Sequence, residues 1–311
     1  MSEQGRTVES VRRANLGSIL GIVHREGPQS RAALTESTGL NRSTVADLVG
    51  SLVSFGLVTE RAPDPSRRVG RPSPVVAVDP AVVAIAVNPE VDALEVAAVG
   101  LDRELRAVVV LPQDHLLTPE RTAELIAAQI ATWRRGDLAD ARILGVGLAV
   151  PGLVRIDDGL VRDAPHLGWV DVPLRDLVAA ATGIPVVVGN DATLGTIAEH
   201  LFGAARGIDH AFYLNGGASG IGGGIIVNGM PVVGAGGYAG EIGQNRPGIA
   251  TLADRRARDG VLEDEVSRAR LLSVVGLTRG DDRELADALA AHSDTPSVAG
   301  EVDRQRRILA T

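Results

Sequence analysis

Four side chains at the amino end of one stretch have the chemistry to read base pairs: Arg42, Ser43, Thr44 and, one turn on, Asp47. A guanidinium can donate two parallel hydrogen bonds to guanine, and short polar groups meet base edges at close range. Three further arginines, Arg67, Arg68 and Arg71, lie in the Pro-rich loop RAPDPSRRVGRPSP, placed to meet phosphates or a narrow minor groove. Far along the chain, Asn190-Asp191 follows the apolar run Ile184 to Val188. That is the carboxyl end of a strand, where α/β sheets hold ligands. The Gly-rich run from Asn215 to Gly224 would let backbone amides approach an anion. It lacks the Lys and the following helix of a phosphate-binding loop, so a Gly-lined hairpin packed between lobes stays open beside it.

The first set needs a rigid support, and the spacing supplies one. Ser30 can cap a helix from Arg31 to Ser37, and Thr38-Gly39-Leu40 is a tight turn. Asn41 can cap a second helix from Arg42 to Phe55, with Val45, Leu48, Val49 and Leu52 on one buried face. A preceding helix over residues 11–26, ended by Gly27-Pro28, provides the packing partner. Leu57 to Thr59 and Val75 to Val78 form two short strands around the basic loop. The whole is an expected winged helix-turn-helix over residues 1–62, with wing and linker over 63–80.

Charge follows the same division. Residues 1–72 carry ten Arg against seven acidic residues, whereas the remainder carries 21 against 32. A mildly basic head on an acidic body suggests that the head alone meets phosphate. The chain has no Cys, so neither disulfides nor a thiolate metal site can form. Its amino terminus is polar and no apolar run spans a bilayer, so a cytoplasmic protein without a membrane partner is expected.

Past Pro80, Val82 to Val87, Leu94 to Val99 and Leu105 to Val110 read as antiparallel strands joined by turns. A helix opening at Thr118-Pro119, a buried strand Ile143 to Val150, a helix Leu174 to Ala181, the strand Ile184 to Val188 and a helix Ala192 to Phe202 follow. The order β-β-β-α-β-α is that of one lobe of the ribonuclease-H-like, actin-like ATPase fold. A second lobe begins near His210 with Ala211 to Leu214, the Gly run, Ile225 to Val227, an Asn228-Gly229 turn and Met230 to Val233. Four helices close the chain: Thr251 to Arg258, Leu262 to Val275, Asp282 to Ala291 and Ser297 to Leu309.

Together these motifs resemble the ROK family of repressors, open reading frames and sugar kinases. The resemblance rests on Gly70-Arg71-Pro72, Ala149 to Val154, Gly189-Asn190-Asp191-Ala192, Gly220 to Gly224 and Gly240-Glu241-Ile242-Gly243. It implies a sugar-sensing domain over residues 81–311, with lobe one about 81–205 and a shortened lobe two about 206–311. It implies sugar contacts at Asn190, Asp191 and Glu241. Gln244 stands where the family carries a His, and His166 where a sugar-flanking loop usually carries Asn. Trp169 would offer a ring face to a pyranose or pack in the core.

The same resemblance argues against catalysis. The kinase branch opens lobe one with Asp-x-Gly-Gly-Thr, whereas this chain has Asn88-Pro89-Glu90 in that region. Pro89 removes an amide donor and Glu90 repels phosphate. The family's zinc ligands are replaced by Gln244 and by the absence of Cys. The expectation is therefore a non-enzymatic, sugar-responsive repressor with no cofactor and no metal; the alternatives are an ATP-dependent sugar kinase and a ligand-independent DNA-binding protein. The repressor would bind duplex DNA as a homodimer or homotetramer.

Overall fold

The computed structural model describes residues 8–62, 73–217, 220–248, 255–256, 260–278 and 282–310. Two hydrophobic cores organise them. The smaller one belongs to α1 (Val8–Glu26), β1 (Gln29–Ser30), α2 (Arg31–Thr38), α3 (Arg42–Ser54), β2 (Val58–Arg61) and β3 (Val75–Val78). Ile19, Leu34, Leu48 and Leu52 are almost fully buried at its centre. Ser30 caps α2 by accepting from the Ala33 amide, and Asn41 caps α3 by accepting from the Thr44 amide. Gly39 takes φ of 67° between them, the left-handed conformation that the turn demands. The strands run antiparallel in the order β1-β3-β2. β1 was not expected from the sequence; two polar residues carry no strand signal, and only their pairing with Val75 and Val76 defines them.

The larger core begins with β4 (Val82–Pro89), β5 (Ala93–Gly100), β6 (Leu105–Pro112), α4 (Pro119–Arg134) and β7 (Arg142–Val150). It continues through β8 (Leu153–Val154), β9 (Val161–Ala164), β10 (Trp169–Val172), α5 (Leu174–Thr182), β11 (Val186–Asn190) and α6 (Asp191–Phe202). The main sheet has the order β11-β7-β4-β5-β6. β7 lies parallel to both β4 and β11, whereas β4, β5 and β6 are antiparallel. Thr118 and Pro119 start α4 as expected, the Thr118 side chain accepting from the Arg121 amide. The small sheet β10-β9-β8 was missed, because strands of two to four residues fall below any periodicity.

The last unit carries β12 (Ala211–Gly217), β13 (Gly220–Val227) and β14 (Met230–Pro231), then α7 (Leu262–Glu265), α8 (Arg268–Val274), α9 (Asp282–Ala291) and α10 (Pro296–Leu309). The described part of the Gly run, 215–217 and 220–224, is paired strand: Asn215 faces Gly222 and Gly217 faces Gly220. It serves helix packing. A Cβ at Gly222 would lie 2.7 Å from the Ala192 Cβ, and one at Gly224 would overlap the Thr196 hydroxyl. The expected helix Leu262 to Val275 is broken at Val266 and Ser267, which are extended. Of the expected helix Thr251 to Arg258, only Arg255 and Arg256 are described, and neither is helical.

A buried ionic network ties these last helices together. Glu265 is fully buried and accepts from the Arg256 amide at 2.9 Å and from the Arg304 guanidinium. Arg256 also pairs with Glu301, which accepts from Gln305 at 2.6 Å.

Candidate functional site

Asn190 ends β11 and caps α6, accepting from the Thr193 amide at 2.8 Å. Its amide group donates to the Gly152 carbonyl at 3.1 Å and to Asp191 at 3.0 Å. This places Asp191 at the first turn of α6, where the helix dipole favours an anion. Asn215 of β12 donates to the other Asp191 oxygen at 3.4 Å. Asp191 and Asn215 border a cavity of about 430 Å³. Glu241, Gln244, His166, Glu263 and Tyr238 also line its wall, with Asn190 and Asp163.

The carboxylates shape its electrostatics. Burial pushes the Asp191 carboxyl up, against the opposing pull of the Ala192 amide, its own amide and Asn190. Burial also raises Glu241, and the charges of Glu263 and Asp191 add to it. Glu263 accepts from the Ile221 amide at 2.9 Å and from the Gln244 side chain at 2.9 Å. Gly243 permits that approach, since a Cβ there would collide with Glu263. The lining therefore sets the carboxylates of Asp163, Asp191, Glu241 and Glu263 beside the side-chain amides of Asn190, Asn215 and Gln244, around a volume large enough for a monosaccharide. Among the described residues, no group of three His, Asp or Glu could hold a metal ion.

All five residues expected to meet sugar lie on this one cavity: His166, Asn190, Asp191, Glu241 and Gln244. Trp169 does not. It is 3% exposed in the larger core, and its indole donates to the Leu117 carbonyl at 2.8 Å. Glu263, Asn215 and Tyr238 were missed. An acid in the first turn of a helix ordinarily answers the helix dipole, so nothing local marked Glu263.

A second surface lies on the smaller core. Arg42 and Ser43 are exposed at the start of α3, and Thr44 is half-buried. Ser43 donates to Asn41 at 2.7 Å, joining the cap. Asp47 is exposed but held by Arg12 of α1 at 2.5 Å, and Arg12 also donates to Ser51 at 2.7 Å. Arg67, Arg68 and Arg71 lie outside the described residues.

A mixed α/β sheet whose parallel strand ends in an Asn-Asp pair at a ligand-sized cleft defines the class of protein. The chain belongs to the ROK family, whose sequence profile matches residues 85–286. The xylose repressor of Bacillus spizizenii is 31% identical over 237 residues, 75% of this chain and 60% of that protein. The glucokinase of Halalkalibacterium halodurans is 40% identical over 101 residues, 32% of this chain and 30% of that protein. Among solved structures, a ROK family transcriptional regulator homologous to E. coli Mlc superimposes with a TM-score of 0.76. That match covers 96% of this chain and 78% of the other at 22% identity, a likeness of fold. The chain spans about three-fifths of the length of the xylose repressors it matches. Among the described residues, no helix is long and apolar enough to cross a membrane.

Proposed function

We propose that the chain is a transcriptional repressor whose affinity for duplex DNA responds to a sugar. Its head is a winged helix-turn-helix over residues 1–62, with wing and linker over 63–80. The sensing domain covers 81–311, with lobes meeting near residue 205. The observation that carries this reading is α3, whose exposed Arg42 opens a helix set on a core of its own. Arg42, Ser43, Thr44 and Asp47 read base edges, and the pair of Asp47 with Arg12 ties α3 to α1. Arg67, Arg68 and Arg71 grip the backbone. Two heads in a symmetric dimer match a palindromic operator.

The effector site is the cavity around Asn190, Asp191, Glu241, Gln244, Glu263 and His166. D-xylose is the first sugar to try, because xylose repressors are among the relatives. The reading assigns no catalysis. β4 ends in Asn88-Pro89, and Glu90 accepts from the Asn88 side chain at 3.0 Å, which sets a carboxylate where a kinase needs amides. An ADP-release assay across hexoses and xylose is expected to show no turnover; turnover lost in Asp191→Asn would replace the repressor with a kinase.

The head is tested with a duplex that the protein itself selects from a random pool. Arg42→Ala is expected to lose about 1–3 kcal/mol of preference for that duplex over random DNA at fixed salt. An unchanged ratio between the two would remove α3 as the reading helix.

A further inference from the structure

The helix that opens at the cavity ends at the head. α6 starts with Asp191 on the cavity wall and finishes with Phe202. At about 1.5 Å per residue, its twelve residues span roughly 18 Å. The Phe202 ring meets the His24 ring of α1 edge to face, with centroids 5.5 Å apart and planes at 84°. Arg103 lies over the same Phe202 ring at 5.7 Å. His24 in turn donates through Nδ1 to the Leu101 carbonyl at 2.6 Å. Leu101 itself packs against the small core of the head. The end of α6, the end of α1 and the β5–β6 turn therefore form one junction.

The flank of α6 is closely packed, so the helix and the strands under it form one stiff piece. The helix rests on β12 and β13, where Gly222 and Gly224 bring the strand backbone close against Ala192 and Thr196. On the helix side, Gly195 lies close under Tyr213. At the cavity end, Asn215 of β12 holds Asp191. A sugar bound between Asp191 and the facing Glu241 and Glu263 bears directly on the first turn of α6. A helix is stiff along its axis, so a shift at one end reaches the other.

We propose that α6 is the strut that carries sugar occupancy to the DNA-reading head, delivered where Phe202 abuts His24. The proposal rests on the sugar-responsive reading above and names its route. Phe202 and His24 are positioning residues: neither borders the cavity nor the reading face of α3. The linkage is reciprocal, so bound duplex weakens the sugar by the same factor as sugar weakens the duplex.

The full chain tests it with D-xylose and the self-selected duplex. Saturating D-xylose is expected to weaken duplex binding of the unsubstituted chain by about tenfold, within the usual range for coupled sites. Phe202→Ala and His24→Ala should each keep both single-ligand affinities within about twofold and lose most of that coupling. The double variant should be no worse than either single one, the mark of two residues on one path. A Phe202→Ala chain that responds as strongly as the unsubstituted chain overturns the strut.

Hydrogen exchange provides a readout that needs no sugar. Asn190→Ala removes the cap of α6 and is expected to speed amide exchange in the last turns of α1. The same change in a Phe202→Ala background should leave α1 unaffected. If α1 ignores Asn190→Ala, the strut is wrong, whatever D-xylose does. If α1 responds but D-xylose does not bind, the strut stands and the choice of sugar fails.

Discussion

Glu265→Ala is expected to lower the unfolding free energy by about 3–5 kcal/mol, the usual result of breaking a buried ion pair from one side. The carboxylate is fully buried and accepts from the Arg256 amide at 2.9 Å and from the Arg304 guanidinium. Arg304 reinforces the join by donating to the Glu265 carbonyl at 2.9 Å. The Arg256 guanidinium is already pulled down by burial and by the charges of Arg304 and Arg270, with Glu265 opposing them. Removing that countercharge leaves a crowd of arginines in a poorly hydrated place. Glu265→Gln keeps an acceptor and should fall between the two. Urea unfolding followed by circular dichroism measures the loss. A cost below about 1 kcal/mol, as at an exposed pair, would show that the network adds little.

Asp191→Ala is the second large effect, expected to weaken D-xylose by about 1.5–3 kcal/mol, the scale of a hydrogen bond to a charged group. That is roughly a 10- to 150-fold rise in the dissociation constant. Calorimetric titration reads it directly, and unchanged affinity would remove Asp191 from the sugar site. The same titration has a pH dependence with a definite sign. Hydroxyl donors prefer ionised Asp191 and Glu241, and both carboxyls are raised above their ordinary 3.8 and 4.5. Affinity should therefore fall on acidification, starting nearer neutrality than for ordinary carboxylates. The empty protein moves the other way. A raised carboxyl binds more protons folded than unfolded, so its contribution to stability is greatest in acid. That contribution is lost as the pH climbs from the ordinary value through the raised one.

The parts of the fold legible in the sequence were those with local causes. Asn41 and Thr118 each announced a cap and made one. Val45, Leu48, Val49 and Leu52 marked a buried face and occupy it. Asn190-Asp191 fell at a strand end and borders the cavity. Less legible were features set by distant partners. Glu263 reaches the cavity only because Ile221 and Gln244, 42 and 19 positions away, lie against it. The glycines from 220 to 224 look alike in one dimension, yet Gly222 and Gly224 face α6 while Gly223 faces Ile242. Trp169 was balanced between ligand and core until the carbonyl of Leu117 claimed its indole.

That last placement has a practical consequence. Both tryptophans of the chain, Trp133 and Trp169, are buried in the larger core, at 5% and 3% exposure. Tryptophan emission, excited apart from tyrosine, therefore watches one region and is blind to the rest. The head can unravel, or the terminal helices around Glu265 can come apart, with the indole spectrum unmoved. A melt followed by tryptophan emission and one followed by ellipticity should separate wherever these regions lose structure at different temperatures, and the gap between the curves would measure their independence.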